Sequence, residues 1–196
     1  MKRTILDVLH VTLLGVSLAG LTACSSGEGP PASEPEPGTT GAAVFACVED
    51  DFITSGPFQG PGYDPEQGGL LGPAQETYIA ATTIGRIKPA ALEDHYQGLV
   101  VAVIEQLATQ EGLIGLELGQ SEKCGYTRTK TVWRDEEAMF GFVGSDAHVA
   151  AMAEGRNVLS AAAVAHWTVG ADEVPPSWTT VHDKIAATEV SHGEPE

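Results

Sequence analysis

YTRTKTVWRDEEAMFGFVGSDAHVAAMAEG, residues 126–155, contains the change of period that decides the fold. Its first eight residues alternate, placing Thr127, Thr129, Thr131 and Trp133 on one face, the period of two of a strand. At Asp135-Glu136-Glu137 the pattern changes. Negative charge suits a helix N-terminus and Asp135 can cap it, so a helix is predicted from there to about Ala153, carrying Ala138, Phe142, Val149 and Met152 inward. A strand thus feeds directly into a helix.

Working outward, residues 113–118 (LIGLEL) read as a second strand, joined to 126–133 as a hairpin through a turn over 119–125. Upstream, Leu92, Tyr96, Leu99, Val103 and Leu107 recur at three- and four-residue steps, with Val100 and Ile104 beside them. They predict an amphipathic helix from Pro89 to about Gln110, ended by Gly112. Residues 78–87 (YIAATTIGRI) precede it as a β-branched strand. Residues 161–169 (AAAVAHWTV) follow as a last one, with His166 and Trp167 on opposite faces. The order β-α-β-β-α-β predicts an α+β, ferredoxin-like domain: a four-stranded antiparallel sheet with two helices on one face. The other face keeps apolar and Thr side chains and needs a cover.

Before this domain the composition changes. Lys2 and Arg3 followed by an apolar run over 11–23 have the form of an export signal, too short for the about 20 helical residues that span a bilayer. The run ends in Leu21-Thr22-Ala23-Cys24, which resembles the lipobox of bacterial lipoproteins. That resemblance implies cleavage after residue 23, acylation of Cys24 and a lipid-anchored protein of the bacterial cell envelope. Ser25 favours the outer membrane in a Gram-negative host. Residues 24–43 then read as the lipidated Cys and a Ser-, Gly-, Pro- and Glu-rich tether that cannot bury enough surface to order itself. Residues 44–76 combine aromatic anchors with Gly-Pro turns and lack either period, and so predict a loop-rich arm packed over the domain. The domain itself is assigned to 77–180. Residues 181–196 form a C-terminal tail, with a short helix near 180–187 and a frayed end from Val190.

The chain has 196 residues, 27 acidic against 10 basic, and a net charge of −17. With no cluster of Lys and Arg to meet phosphates, nucleic-acid binding is excluded. With Cys24 taken by lipid, Cys47 and Cys124 remain as a pair in an oxidising compartment and are expected to be bridged. Neither has a His at ligand spacing, so no metal site is predicted.

Thr131 to Met139 (TVWRDEEAM), Phe142 and Ser145-Asp146-Ala147-His148 together resemble the strand-into-helix signature of the dimeric α+β-barrel superfamily, in its antibiotic-biosynthesis-monooxygenase-like branch. The resemblance covers roughly residues 77–180 and includes Pro175, Pro176 and Trp178. It implies a homodimer in which two sheets pack face to face, and a small pocket between each sheet and its own helices. It also implies either cofactor-free oxidation of an aromatic substrate or a haem-linked reaction. The haem-degrading branch uses an Asn on the first strand with a Trp and a His on the second helix. Residues 82–86 hold no Asn and the second helix holds no Trp, so that triad is not matched.

The candidate catalytic residue is His148, which shares a predicted helix stripe with Gly141, Ser145 and Met152. An imidazole there could accept a proton, polarise a substrate oxygen or ligate haem iron; it could equally hydrogen-bond within the helix-sheet layer. Trp133, Phe142, Ser145, Met152, His166 and Arg86 are the candidate pocket residues, with Trp133 also readable as a core anchor. His166 and Arg86 meet only if their strands present them on one face. Two functions follow: a monooxygenase-type oxidoreductase acting on a small aromatic or haem-like molecule, or a non-catalytic envelope lipoprotein that binds a small ligand or has a structural role.

Overall fold

The computed structural model describes residues 38–73, 75–88 and 94–192, with backbone only at 94–97. The predicted signal, Cys24 and most of the tether lie outside the described residues. The elements in order are α1 (Gly41–Val44), β1 (Ile53–Thr54), β2 (Tyr63–Asp64), β3 (Gly69–Leu70), β4 (Thr77–Ile87), α2 (Asp94–Thr109), β5 (Leu113–Ser121) and β6 (Tyr126–Trp133). They continue with α3 (Glu136–Val143), α4 (Asp146–Val158), β7 (Leu159–Gly170), a 3-10 turn and α5 (Trp178–Ala187).

The sheet runs β1-β5-β6-β4-β7 and its pairs are all antiparallel. Without the two-residue β1, this is the ferredoxin-like order expected of βαββαβ. Register assigns the faces. Ile79 stands opposite Trp133 and Thr168, and Ala81 opposite Thr131 and His166; these point toward the helices. Ile79, Ala81 and Trp133 pack there with Ile104, Leu107 and Phe142.

The predicted second helix is two helices. Asp135 caps α3, accepting from Ala138 N at 2.8 Å, but α3 stops at Gly144, and α4 starts with Ser145 at its N-cap and Asp146 in its first turn. A Gly followed by Ser-Asp is itself a stop-and-restart signal, and it overrides the continuing apolar period. The expected stripe of Gly141, Ser145, His148 and Met152 is therefore broken at the corner. Met152 and Val149, expected inward, are exposed.

The other face holds two clusters: Ile84, Tyr126, Ala163 and Ala165 with Val44, Ile185 and Val190, and Ala80, Val132 and Val169 with Phe58 and Tyr63. Its cover is thus the chain itself, arm on one side and α5 on the other, where the resemblance had implied a partner's sheet. Cys47 and Cys124 are disulfide-bonded with Cα atoms 5.8 Å apart, fastening the arm to the β5–β6 turn. Two boundaries shift. Residues 40–43, expected in the tether, pair with and pack on the end of α5, Gly41 N donating to Thr188 O at 2.8 Å. The tail is not frayed at Val190: Val190 and His192 are buried, and His192 bridges to Ala162 of β7.

Candidate functional site

Burial falls away across the helix-side face of the sheet. In one cross-strand row Leu116 and Thr131 are buried, Ala81 is half-buried and His166 is exposed; in the next, Leu118, Thr129 and Thr83 are half-buried and Val164 is exposed. The β5–β6 side is filled by Trp133, Leu113, Ile104 and Leu107. Toward β7 the layer leaves a shallow exposed surface. On its helix side stands Phe140 of α3, 53% exposed, whose ring meets His166 edge-on at 5.9 Å. Its floor is Ala81, Thr83, Val164, which is 55% exposed, and His166. Threonine hydroxyls tie the floor internally: Thr129 Oγ1 accepts from Thr83 N at 3.2 Å and Thr131 Oγ1 donates to Ala81 O at 3.3 Å. A shallow surface of one aromatic ring, one branched aliphatic, threonines and one imidazole suits a small planar apolar molecule with a polar edge.

The candidates from the sequence separate into three places. Trp133 is buried, stacks on Phe142 at 5.3 Å and donates its indole N–H to Thr131 Oγ1 at 2.9 Å, which makes it a core anchor. Phe142 in turn meets His148 edge-on at 4.7 Å. His148 Nδ1 lies 3.2 Å from Val143 O, so as donor it satisfies a C-terminal carbonyl of α3 across the corner. Burial holds its pKa below the usual imidazole value against that hydrogen bond, and the ring is neutral at pH 7. Ser145 at the same corner has a buried Oγ without a hydrogen bond among the described residues. His166 belongs to the exposed surface beside Phe140. Arg86 does not: it lies on the opposite face, with Nε donating to Ser160 Oγ at 3.0 Å. Arg86 and His166 therefore do not meet.

His148 is half-buried, with Nδ1 on Val143 O and its ring against Phe142, which stacks on Trp133. His166 stands exposed beside Phe140. No haem-dependent step is derived. Among the described residues no three His, Cys, Asp or Glu side chains converge on a metal site.

The residues that sequence reasoning missed are charges under the arm. Arg128 pairs with Glu49 of the arm, both buried. Lys130 pairs with Glu117 at 2.6 Å, donates to Pro176 O at 3.0 Å and lies 4.6 Å from the Trp178 ring centre. His182 of α5 stands beside Glu49, Nε2 to carboxylate 3.8 Å. Burial first, and then Arg128, hold its pKa down. A cleft of about 350 Å³ lies beside this cluster, between α1, the arm and α5. The sequence signal was the Arg-Thr-Lys-Thr alternation of β6, which puts both cations on the face away from the helices.

Residues 78–154 match the antibiotic biosynthesis monooxygenase family. They form a domain of that type within a longer chain. Similar solved structures include a conserved protein from Methanosarcina mazei Go1, 17% identical, covering 47% of this chain and 91% of that one, with a TM-score of 0.42. Rv0793 from Mycobacterium tuberculosis is 17% identical, covering 47% and 93%, with a TM-score of 0.40. An antibiotic biosynthesis monooxygenase is 15% identical, covering 45% and 95%, with a TM-score of 0.41. No curated protein matches the chain.

Proposed function

We propose that this is an exported, lipid-anchored protein whose monooxygenase-type domain takes a small aromatic molecule onto the exposed surface between β7 and α3 and oxidises it without a bound cofactor. The observation that carries the reading is the contact of Phe140, within the family-matched residues 78–154, with His166 of β7 on the helix side of the sheet, where both stand exposed with Val164. His166 is the ionisable side chain of this group and the one able to take a proton from a phenolic oxygen. Loss of that proton makes an aromatic diol electron-rich enough to react with dioxygen directly. Phe140 and Val164 would hold the ring.

Acylation of Cys24 would hold the domain at the envelope membrane, each buried CH₂ contributing about 0.8 kcal/mol. No helix among the described residues is long and apolar enough to cross a membrane. Two experiments separate the parts. Fatty-acid labelling is expected on the full chain and absent from Cys24→Ala; equal labelling of both overturns the anchor. Oxygen uptake with a naphthohydroquinone is expected above the uncatalysed rate and reduced at least tenfold in His166→Ala, while His148→Ala retains it.

The second reading is binding without turnover. It is favoured by the commitment of His148 Nδ1 to Val143 O, which places the first catalytic candidate at the corner of α3 and α4, in a structural bond. Saturable binding of the same hydroquinone without oxygen uptake would select it.

A further inference from the structure

Among the described residues the large apolar side chains left exposed fall into two sets. Val48, Ile53 and Leu71 are scattered along the arm, whereas Phe140, Val149, Met152 and Val164 belong to α3, α4 and the helix-side face of β7, each about half exposed. α4 is 13 residues long and buries only Val158. Its stretch 147–153 (AHVAAMA) holds no Asp, Glu, Lys or Arg, and Val149, Ala150, Met152 and Ala153 are turned to the surface. A helix that faces water ordinarily presents its polar side to it, and an apolar patch in its place marks a surface with a partner.

The route of the chain says which partner. Thr39 O accepts from Val190 N at 3.1 Å, Ser191 N donates to Ala162 O at 2.9 Å, and Ala162 N donates to His192 O at 3.0 Å. The chain therefore enters the fold beside the outer edge of β7, and Val164 lies two residues along that strand from Ala162. Residues 25–37 separate Cys24 from this entry. Even fully extended, at about 3.5 Å per residue, they span at most about 50 Å. That is close to the width of a domain of this size. A lipid on Cys24 thus holds the entry edge within reach of the membrane at high effective concentration, where an apolar patch too small to bind lipid from solution can dock. The exposed charges of α3 and α4, Glu136, Glu137 and Asp146 against Arg156, are mostly acidic, so the contact suits a zwitterionic surface and gains nothing from anionic headgroups.

We propose that Phe140, Val149, Met152 and Val164 dock the domain on the lipid surface to which Cys24 fastens it, an inference that rests on the anchor proposed above. Docking brings Phe140 and His166 against the layer in which an apolar aromatic molecule dissolves. The test reconstitutes the acylated protein in phosphatidylcholine vesicles that carry a diazirine near the headgroup end of one acyl chain, irradiates them, and maps the carbene adducts by mass spectrometry. Adducts at Phe140, Val149, Met152 and Val164 are expected at about fivefold or more above those at Val48, Ile53 and Leu71, because contact scales with the apolar area placed in the interface. They should fall to the level of the arm in Phe140→Gln with Met152→Gln, two exposed helix positions, while the far-ultraviolet circular dichroism and the acyl group on Cys24 are retained. An acylated Cys24 with adducts absent from the four residues, or spread equally over the arm, overturns the docking and leaves the anchor standing; a second copy seated on the patch would give that absence. A Cys24 without an acyl group overturns the anchor and the docking with it.

Discussion

Glu49, in the loop-rich arm, and Arg128, at the middle of β6, form an ion pair whose side chains are 8% and 4% exposed. The pair joins a segment that has no regular period to the centre of the sheet. Removing one partner of a buried pair leaves the other charge desolvated and uncompensated, which costs about 3–5 kcal/mol. Glu49→Gln should therefore lower the urea midpoint sharply. The double replacement Glu49→Met with Arg128→Met should recover most of the loss, because no charge then remains buried. Equal midpoints for Glu49→Gln and the unaltered protein would contradict the pairing.

Reducing Cys47–Cys124 frees the arm at its attachment to the β5–β6 turn. A bridge closing a loop of this length contributes about 2–4 kcal/mol, and its sequence separation is 77. Cys47→Ser with Cys124→Ser should lower stability by that order while the far-ultraviolet circular dichroism of the sheet persists. An unchanged unfolding curve would show that the arm is held by its other contacts alone.

Gly115 is needed for contact and not for backbone conformation. Its Cβ position lies 2.6 Å from the Phe58 ring, and that ring is buried. Gly115→Ala should destabilise by about 1–3 kcal/mol through overpacking. Pairing it with Phe58→Leu should cost less than the sum of the two single changes, which a double-mutant cycle in urea would measure.

Acid should weaken the fold before it protonates the carboxylates. Burial lowers the pKa of His148, His182 and His192 below the ordinary imidazole value of 6.5. The unfolded chain therefore binds more protons than the folded one once pH drops toward 6.5. Their contribution is complete above that value and is lost as pH falls through it toward the folded values. Asp51, lowered by its hydrogen bond from Ser121, and Asp135, lowered by Arg134, add losses only below the ordinary carboxylate value of 3.8. Melting temperature should fall between pH 7.5 and 5.5 and fall again below pH 4. A melting temperature that rises on acidification to pH 5.5 would contradict the burial of these imidazoles.

Much of this architecture is legible in the sequence because it rests on period. β6 lies where the Thr alternation ends at Trp133, and β4 ends at Ile87 as its β-branched run predicts. The helix break at Gly144 was legible too, through the Gly-Ser-Asp cap signal, but the apolar spacing of Phe142, Val149 and Met152 spoke for one continuous helix. Arg128 and Lys130 were not legible as buried. An alternating strand with two cations on one face looks solvated, and only the arm, whose placement depends on distant contacts at Cys124, Leu116 and Arg128, makes that face interior. The same holds for the site. His148 has the residue type of a catalyst, whereas its bond to Val143 O exists only because the helix turns a corner. His166 and Phe140 are brought together by the packing of α3 beside β7, a contact between elements that no local spacing encodes.

The central claim, that a small aromatic molecule is taken between β7 and α3, is tested most directly by mapping backbone amide shifts of ¹⁵N-labelled protein during titration with a naphthohydroquinone under nitrogen. Saturable shifts are expected, confined to the neighbourhood of Ala81, Thr83, Phe140, Val164 and His166, and lost in Phe140→Ala. Shifts centred instead on Glu49, Arg128 and His182 in the cleft beneath the arm, or no saturable shift at all, would contradict it.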